Sequence, residues 1–590
     1  LSRVDPHSFA DEAQPRQQHL RWTARVDFAA RRLACTAELR FDRGGTDVDL
    51  DTRGLDVQAV ETPAGTALPF TLGPTDAILG TRLRISLPAD GTRCLVRYRT
   101  GLDATALQWL NVEQTASARA PFLYSQCQAV HARSVVPLQD TPRFRLTYEA
   151  ALAAPSDVRA LMAARSTGRT ESGGEATESW TMEKPIPSYL FAFAVGALAS
   201  HELGPRSRVW AEPALVEKAA WEFAEVDRML TQAETLLGPY VWGRFDVLVL
   251  PPSFPYGGME NPTLTFLTPT VLAGDRSLVN VLAHELAHSW TGNLVSNATA
   301  EDFWLNEGFT VFVERRLLAV LEGPESVALH SAMGRQTLAD AVAGFRDRPG
   351  LTRLRTHLAG VDPDDAYSQV PYEKGFLFLR ALEAAVGSAP FDAFLRSYLG
   401  RFAFQSLTTA EFLDFLRLEL PEAWARVDIA RWVDGEGIPA DAPAPESLRL
   451  QALHALGTQL PDVAQARGWR PLEWQVYLAR LARPTPRATV EALDAAFHLT
   501  LAKNPDVLVA WLVPALSSGY APAQARAEAF LGEVGRMKYL KPVYAALLAR
   551  DDTKELAEAC FQRFRSRYHA IAAAGVEHLF RRRAAQLAKG

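Results

Sequence analysis

Cysteine is scarce in this chain: four in 590 residues, at Cys35, Cys94, Cys127 and Cys560, with no two in a C-x-x-C pair. That excludes a disulfide framework and a thiolate metal site. There is no excess of positive charge either. Sixty-two Lys and Arg stand against 68 Asp and Glu, a formal net charge of -6, so no basic field draws in nucleic acid irrespective of its sequence. The longest apolar run, Tyr189 to Ala199, falls well short of the ~20 residues a spanning helix needs, so membrane insertion is not expected. The run reads as a buried strand. The chain begins LSRVDPHSF, without a methionine or an apolar leader, as a trimmed or processed start would. A cytoplasmic location is the first reading. A periplasmic or secreted one is the alternative if a signal peptide once preceded it.

What remains is ordinary globular composition, 48% hydrophobic and 22% charged, which excludes disorder and fibrous repeats at whole-chain level. The length suits about three or four domains. The first ~200 residues carry short alternating patterns at Arg93 to Tyr98, Arg143 to Tyr148 and Ser179 to Met182, which read as strands. Thr167 to Glu178 reads as a polar hairpin tip or loop. From Val216 to Gly238 apolar residues recur every three or four positions, predicting one amphipathic helix. Phe245 to Leu250 then reads as a strand. Helices are expected around Leu278 to Trp290, Glu307 to Val320 and Glu373 to Ala385. Thr408 to Glu411 has the spacing of a helix capping box. Gly437 to Pro445 holds three prolines and marks a linker, and beyond it the chain reads as almost wholly helical, in a solenoid-like layer. The expected division is 1–199, 200–438, a linker at 439–446, and 447–590.

His284-Glu285-Leu286-Ala287-His288 lies in the stretch predicted to be helical from 278 to 290. Histidines four apart share one helix face, so their ring nitrogens can converge on one cation at the ~2.0–2.1 Å zinc prefers. Glu285 then reaches a water beside the metal rather than the metal itself. Eighteen residues separate His288 from Glu307, whose carboxylate can complete a His2Glu site. Three protein ligands leave one coordination position open, the mark of a catalytic site. Glu314 follows Glu307 by seven residues on the same face, a spacing that suits a supporting acid or a surface acid equally. Asp302 and Asn306 are weaker candidates for that supporting task.

HELAHSWTGN (284–293) followed by WLNEGFTVFVER (304–315) resembles the gluzincin aminopeptidases, the group of aminopeptidase N. Gly257-Gly258-Met259-Glu260-Asn261 matches that group's exopeptidase signature. QCQAVHARS (126–134), DPDDAYSQVPYEKG (362–375) and GRMKYLKP (535–542) are similar to its leukotriene-A4 hydrolase and aminopeptidase B branch. The resemblance implies a multidomain α+β architecture: an N-terminal β-saddle domain, a thermolysin-like α/β zinc catalytic domain and a C-terminal all-α domain. It implies a zinc aminopeptidase with one Zn2+ per chain, acting on short peptides with a free N-terminus. A monomer is the expected state, with an oligomer as the alternative.

By the same resemblance, Glu285 is the general base and Tyr372 the oxyanion donor. Glu260 and Gln128 take the substrate ammonium, and Gly257, Gly258 and Met259 lie along the peptide backbone. Arg536 and Lys538 hold a substrate carboxylate. Asp364 and Tyr367 match positions used to open a lipid epoxide, so the alternative function is a bifunctional enzyme that also hydrolyses a fatty-acid epoxide of the leukotriene A4 type. Loop capping and packing on the peptide side would explain those two residues equally well. One departure is Phe309, where some relatives carry a polar residue, and it bears on the pocket wall rather than on the metal.

Overall fold

The structure is a computed structural model and describes residues 3 and 5–587 of the chain. Three regions follow one another: β-rich, mixed and helical. The first is built on a seven-stranded sheet, in the order 165–172, 175–187, 145–155, 17–27, 32–41, 93–99 and 56–61. Strand Gln17–Asp27 shows why it forms there. Leu20, Trp22, Ala24 and Val26 alternate with polar residues and are all buried, so one face of the ribbon is apolar. A three-stranded and a four-stranded sheet complete this region.

Two local readings are corrected here. Of the two readings of Thr167–Glu178, the hairpin holds and the loop does not, and the tip is shorter than expected: Arg165–Ser172 and Glu175–Pro187 pair and turn at Gly173 and Gly174, both at positive φ. Its outer strand is mostly exposed, so polar residues replace the expected alternation. The helix expected over 216–238 is two helices, Val216–Glu222 and Val226–Leu237, with the break capped by a buried Phe223. The apolar run 189–199 contributes a short 3-10 turn and the strand Phe193–Gly196.

The middle region is a five-stranded sheet, in the order 199–204, 207–211, 245–249, 264–267 and 258–259, backed by helices. Gly258–Met259 is its edge strand, bonded on one side to Phe266 and Leu267. The capping box at Thr408 is formed, with Glu411 returning to the Thr408 N–H. One apolar core runs without interruption through the β-rich and mixed regions. A second core lies in the helical region and reaches Leu329 of the middle one. There Pro471–Ala479, Pro505–Ser517, Met537–Leu548 and Ala570–Leu587 pack in sequence as one layer. Ala521–Glu533 and Asp551–Phe564 lie outside them.

The helical region is seated on the middle one by a tight backbone contact. Met537 N donates to Pro255 O at 2.8 Å, and a Cβ on Gly535 would come within 2.4 Å of Pro252 O. This seats the Arg536 guanidinium directly over Gly257, where an added Cβ would meet Nη2 at 2.4 Å.

Candidate active site

Helix Val279–Ala287 carries His284 and Glu285, and His288 is its C-terminal cap residue. Helix Trp304–Glu322 brings Glu307 opposite them from its first turn. The two histidine Nε2 atoms are 3.1 Å apart, and Glu307 Oε2 lies 3.3 Å from one and 3.6 Å from the other. Ligands on a tetrahedron with bonds of ~2.0–2.1 Å stand about 3.3–3.4 Å apart. The triangle is therefore already the right size for zinc.

Hydrogen bonding supports the same fit. His284 Nδ1 faces Glu314 Oε2 at 3.0 Å, and His288 Nδ1 faces Thr291 O at 3.1 Å. With each Nδ1–H given to an acceptor, each Nε2 lone pair is free for a cation. Glu307 Oε2 is buried and has no hydrogen-bond donor of its own. Glu260, Glu285 and Glu307 are all buried around this point. Three buried carboxylates without a compensating cation would be very costly. The donor set and its geometry fit Zn2+.

The Glu285 carboxylate rests on Gly258, where a Cβ would collide with Oε1 at 2.3 Å. Burial raises its proton affinity well above that of an ordinary carboxyl; His284 and Arg536 oppose the shift, and Glu260 and Glu307 add to it. Tyr372 lies in a π-helical turn, Val370–Lys374, with its ring stacked beside His284 at 6.1 Å and its hydroxyl 3.1 Å from that of Tyr367. Desolvation in the site raises Tyr372 well above the usual phenol value, so it keeps its proton at neutral pH. Gly308 and Gly375 let the two helices behind the site touch: a Cβ on Gly308 would lie 2.8 Å from Gly375 Cα. That approach sets Tyr372 across from Glu307.

A cavity of about 1040 Å³ joins these groups. Gln128, Gly257, Gly258, Glu260, Tyr367, Tyr372, Arg536 and Lys538 all line it beside the metal triad. Asp364 lies instead on a narrow apolar side cavity of about 80 Å³, shared with Gln128 and Tyr367, and its carboxylate is 3.0 Å from His131 Nε2. Lys538 Nζ pairs with Asp506 at 2.7 Å.

Strand alternation turns the Met259 side chain away from the cavity wall, its sulfur 3.5 Å from Gln126 Nε2, while its backbone stays on the edge strand beside Gly258. Asp302 supports no histidine; it accepts from the Thr409 N–H and hydroxyl at 2.7 and 2.8 Å. Glu314, ambiguous in sequence, is bonded to His284. Thr310, 3.1 Å from His288 Nδ1, and Tyr189, 3.2 Å from Asn306, were not anticipated.

The chain is 39% identical to leukotriene A-4 hydrolase of Xenopus laevis over 596 aligned residues, spanning 96% of this chain and 98% of that one. The chain belongs to peptidase family M1. Residues 221–432 match the peptidase family M1 domain, 96–190 the peptidase M1 N-terminal domain, and 469–580 the leukotriene A4 hydrolase C-terminal domain. Leucine aminopeptidase 2 of Yarrowia lipolytica is 36% identical over 93% of this chain and 89% of its own length. The structure of yeast LTA4 hydrolase in complex with bestatin superposes with a TM-score of 0.90 at 32% identity, covering 98% of this chain and 97% of that one. As an M1 member the chain is a zinc-dependent aminopeptidase with a three-domain architecture, and Zn2+ is its cofactor. No helix among the described residues is long and apolar enough to cross a membrane.

Proposed function

We propose that the enzyme removes single residues from the free amino end of short peptides. The observation that carries this reading is the buried Glu260 carboxylate, which shares one cavity wall with the metal triad. Bound at His284, His288 and Glu307, Zn2+ supplies Lewis-acid polarisation of the scissile carbonyl and lowers the pKa of a water to about 7. Glu285 takes the proton of the attacking water and delivers it to the leaving amine. Tyr372 donates its phenolic hydrogen to the developing oxyanion.

Glu260 and Gln128 receive the substrate ammonium. Burial first, and Glu307 second, raise the Glu260 carboxyl to about 7, and an ammonium in contact would hold it ionised. The bare backbone of Gly257 and Gly258 lets an extended peptide lie along the sheet edge. The first side chain enters the narrow apolar cavity beside Tyr367. Arg536, seated over Gly257, and Lys538, paired with Asp506, receive the carboxyl end. A monomer is the proposed working unit, with an oligomer as the alternative. The four cysteines are buried and unpaired, which suits a reducing, cytoplasmic location. We also propose that the division near residues 199 and 438 stands, with the linker at 439–446.

A tripeptide series tests the reading through kcat/KM for the free peptide, its N-acetyl form and its C-terminal amide. Acetylation is expected to cost about 10² or more, since it leaves a buried carboxylate without its charged partner. Amidation is expected to cost about tenfold. Equal cleavage of acetylated and free peptides would show an endopeptidase instead.

A further inference from the structure

Glu260 is only 3% exposed and has the carboxylates of Glu285 and Glu307 for company. Something must fix its orientation before a substrate arrives. Among the described residues one side chain donates a hydrogen bond to this carboxylate: Asn306 Nδ2, at 3.4 Å from Oε1. The Glu260 backbone is held separately, its carbonyl accepting from Asn293 Nδ2 at 2.6 Å.

Asn306 is placed between the two halves of the site. Its oxygen is buried without a donor and faces Gly292, where an added Cβ would come within 2.7 Å of it and 2.8 Å of His288 Nδ1. Its amide nitrogen has two hydrogens. One goes to Glu260, and the other goes to the hydroxyl of Tyr189 at 3.2 Å. The amide torsion of asparagine is soft and nearly two-fold, so hydrogen-bond partners decide which end faces which neighbour. Turned over, Asn306 would set its oxygen against a buried carboxylate, acceptor against acceptor.

Tyr189 comes from the first 200 residues, 117 positions before Asn306. It is buried, and its hydroxyl is itself fixed 3.2 Å from Ser296 Oγ. We propose that Tyr189, acting through Asn306, is a positioning residue that aims the Glu260 carboxylate at the substrate ammonium. The β-rich domain thus contributes to amine recognition without touching the substrate. This inference rests on the reading of Glu260 as the ammonium partner.

The test is a double-mutant cycle on the full-length zinc enzyme: the unaltered protein, Tyr189→Phe, Glu260→Gln and the double variant. Two quantities are read: KM and kcat for leucine p-nitroanilide, and the calorimetric Kd of leucinol, which has an ammonium and no scissile bond. Phenylalanine keeps the buried ring and removes one oxygen. Tyr189→Phe is expected to raise both KM and Kd about tenfold, the effect of misdirecting one hydrogen bond to a charged group, and to lower kcat less than about threefold. In the Glu260→Gln background the same change should move neither constant by more than about twofold, a coupling that a purely structural loss would not show. Asn306→Ser checks the link from its other end and should couple to Glu260→Gln in the same way. Equal factors in both backgrounds, or no change with Glu260 intact, would overturn the proposal. If Glu260→Gln alone leaves KM and Kd unchanged, the ammonium role of Glu260 falls, and the positioning role falls with it.

Discussion

Glu285→Gln is expected to retain one zinc per chain and to lose about 10²–10⁴ in kcat, the range of a general base. The substitution is nearly isosteric, so the contact with Gly258, where there is no room for a Cβ, is kept. The metal triad of His284, His288 and Glu307 is not altered by it. What is lost is the ability to accept a proton, since an amide nitrogen offers no basic lone pair. Steady-state kinetics with metal analysis of the same preparation check this. A kcat within threefold of the unaltered enzyme would assign the base elsewhere.

Tyr372→Phe should cost about 10²–10³ in kcat with little change in KM, as removal of an oxyanion donor does. The ring would keep its place beside His284 and its edge contact with Phe303. Only the hydroxyl goes, with its bond to Tyr367. An unchanged pattern of substrate affinity with a lowered chemical step identifies a group that works on the developing charge. If KM rises while kcat holds, Tyr372 binds substrate in its ground state, and the oxyanion donor must be sought among other hydroxyls such as Tyr367.

The metal triad was legible in the sequence because its geometry is local. Histidines four apart on a helix must share a face, and a carboxylate in the first turn of the next helix, with eighteen residues between, can reach them. Glu314 stayed ambiguous because seven-residue spacing gives the face of a helix but not what lies opposite. Here His284 Nδ1 occupies that place. Tyr189 was not legible at all. Its partner lies in another domain, and nothing in the apolar run around it distinguishes a tyrosine that fills space from one that also orients an amide. The strand at 165–172 does not show as a strand in the sequence because, with little to bury, it has no alternation. The break at 223–225 was missed because the apolar rhythm continues through it, with Phe223 buried at the corner between two helices. Met259 belongs to its motif by its place on the edge strand, and the strand's own pleat turns its side chain into the core. Motifs gave the chemistry; pairing and pleat decided which members of each motif face the cavity.

The central claim is that a single cation held by His284, His288 and Glu307 makes this chain a peptidase. Its most direct test is a zinc titration of chelator-stripped protein, reading tripeptide hydrolysis against metal bound per chain. The account predicts no hydrolysis in the stripped protein, a linear rise on adding zinc, and a plateau at about one equivalent. Stripped protein that cleaves the peptide at the full rate, or activity that requires a second equivalent, would contradict it.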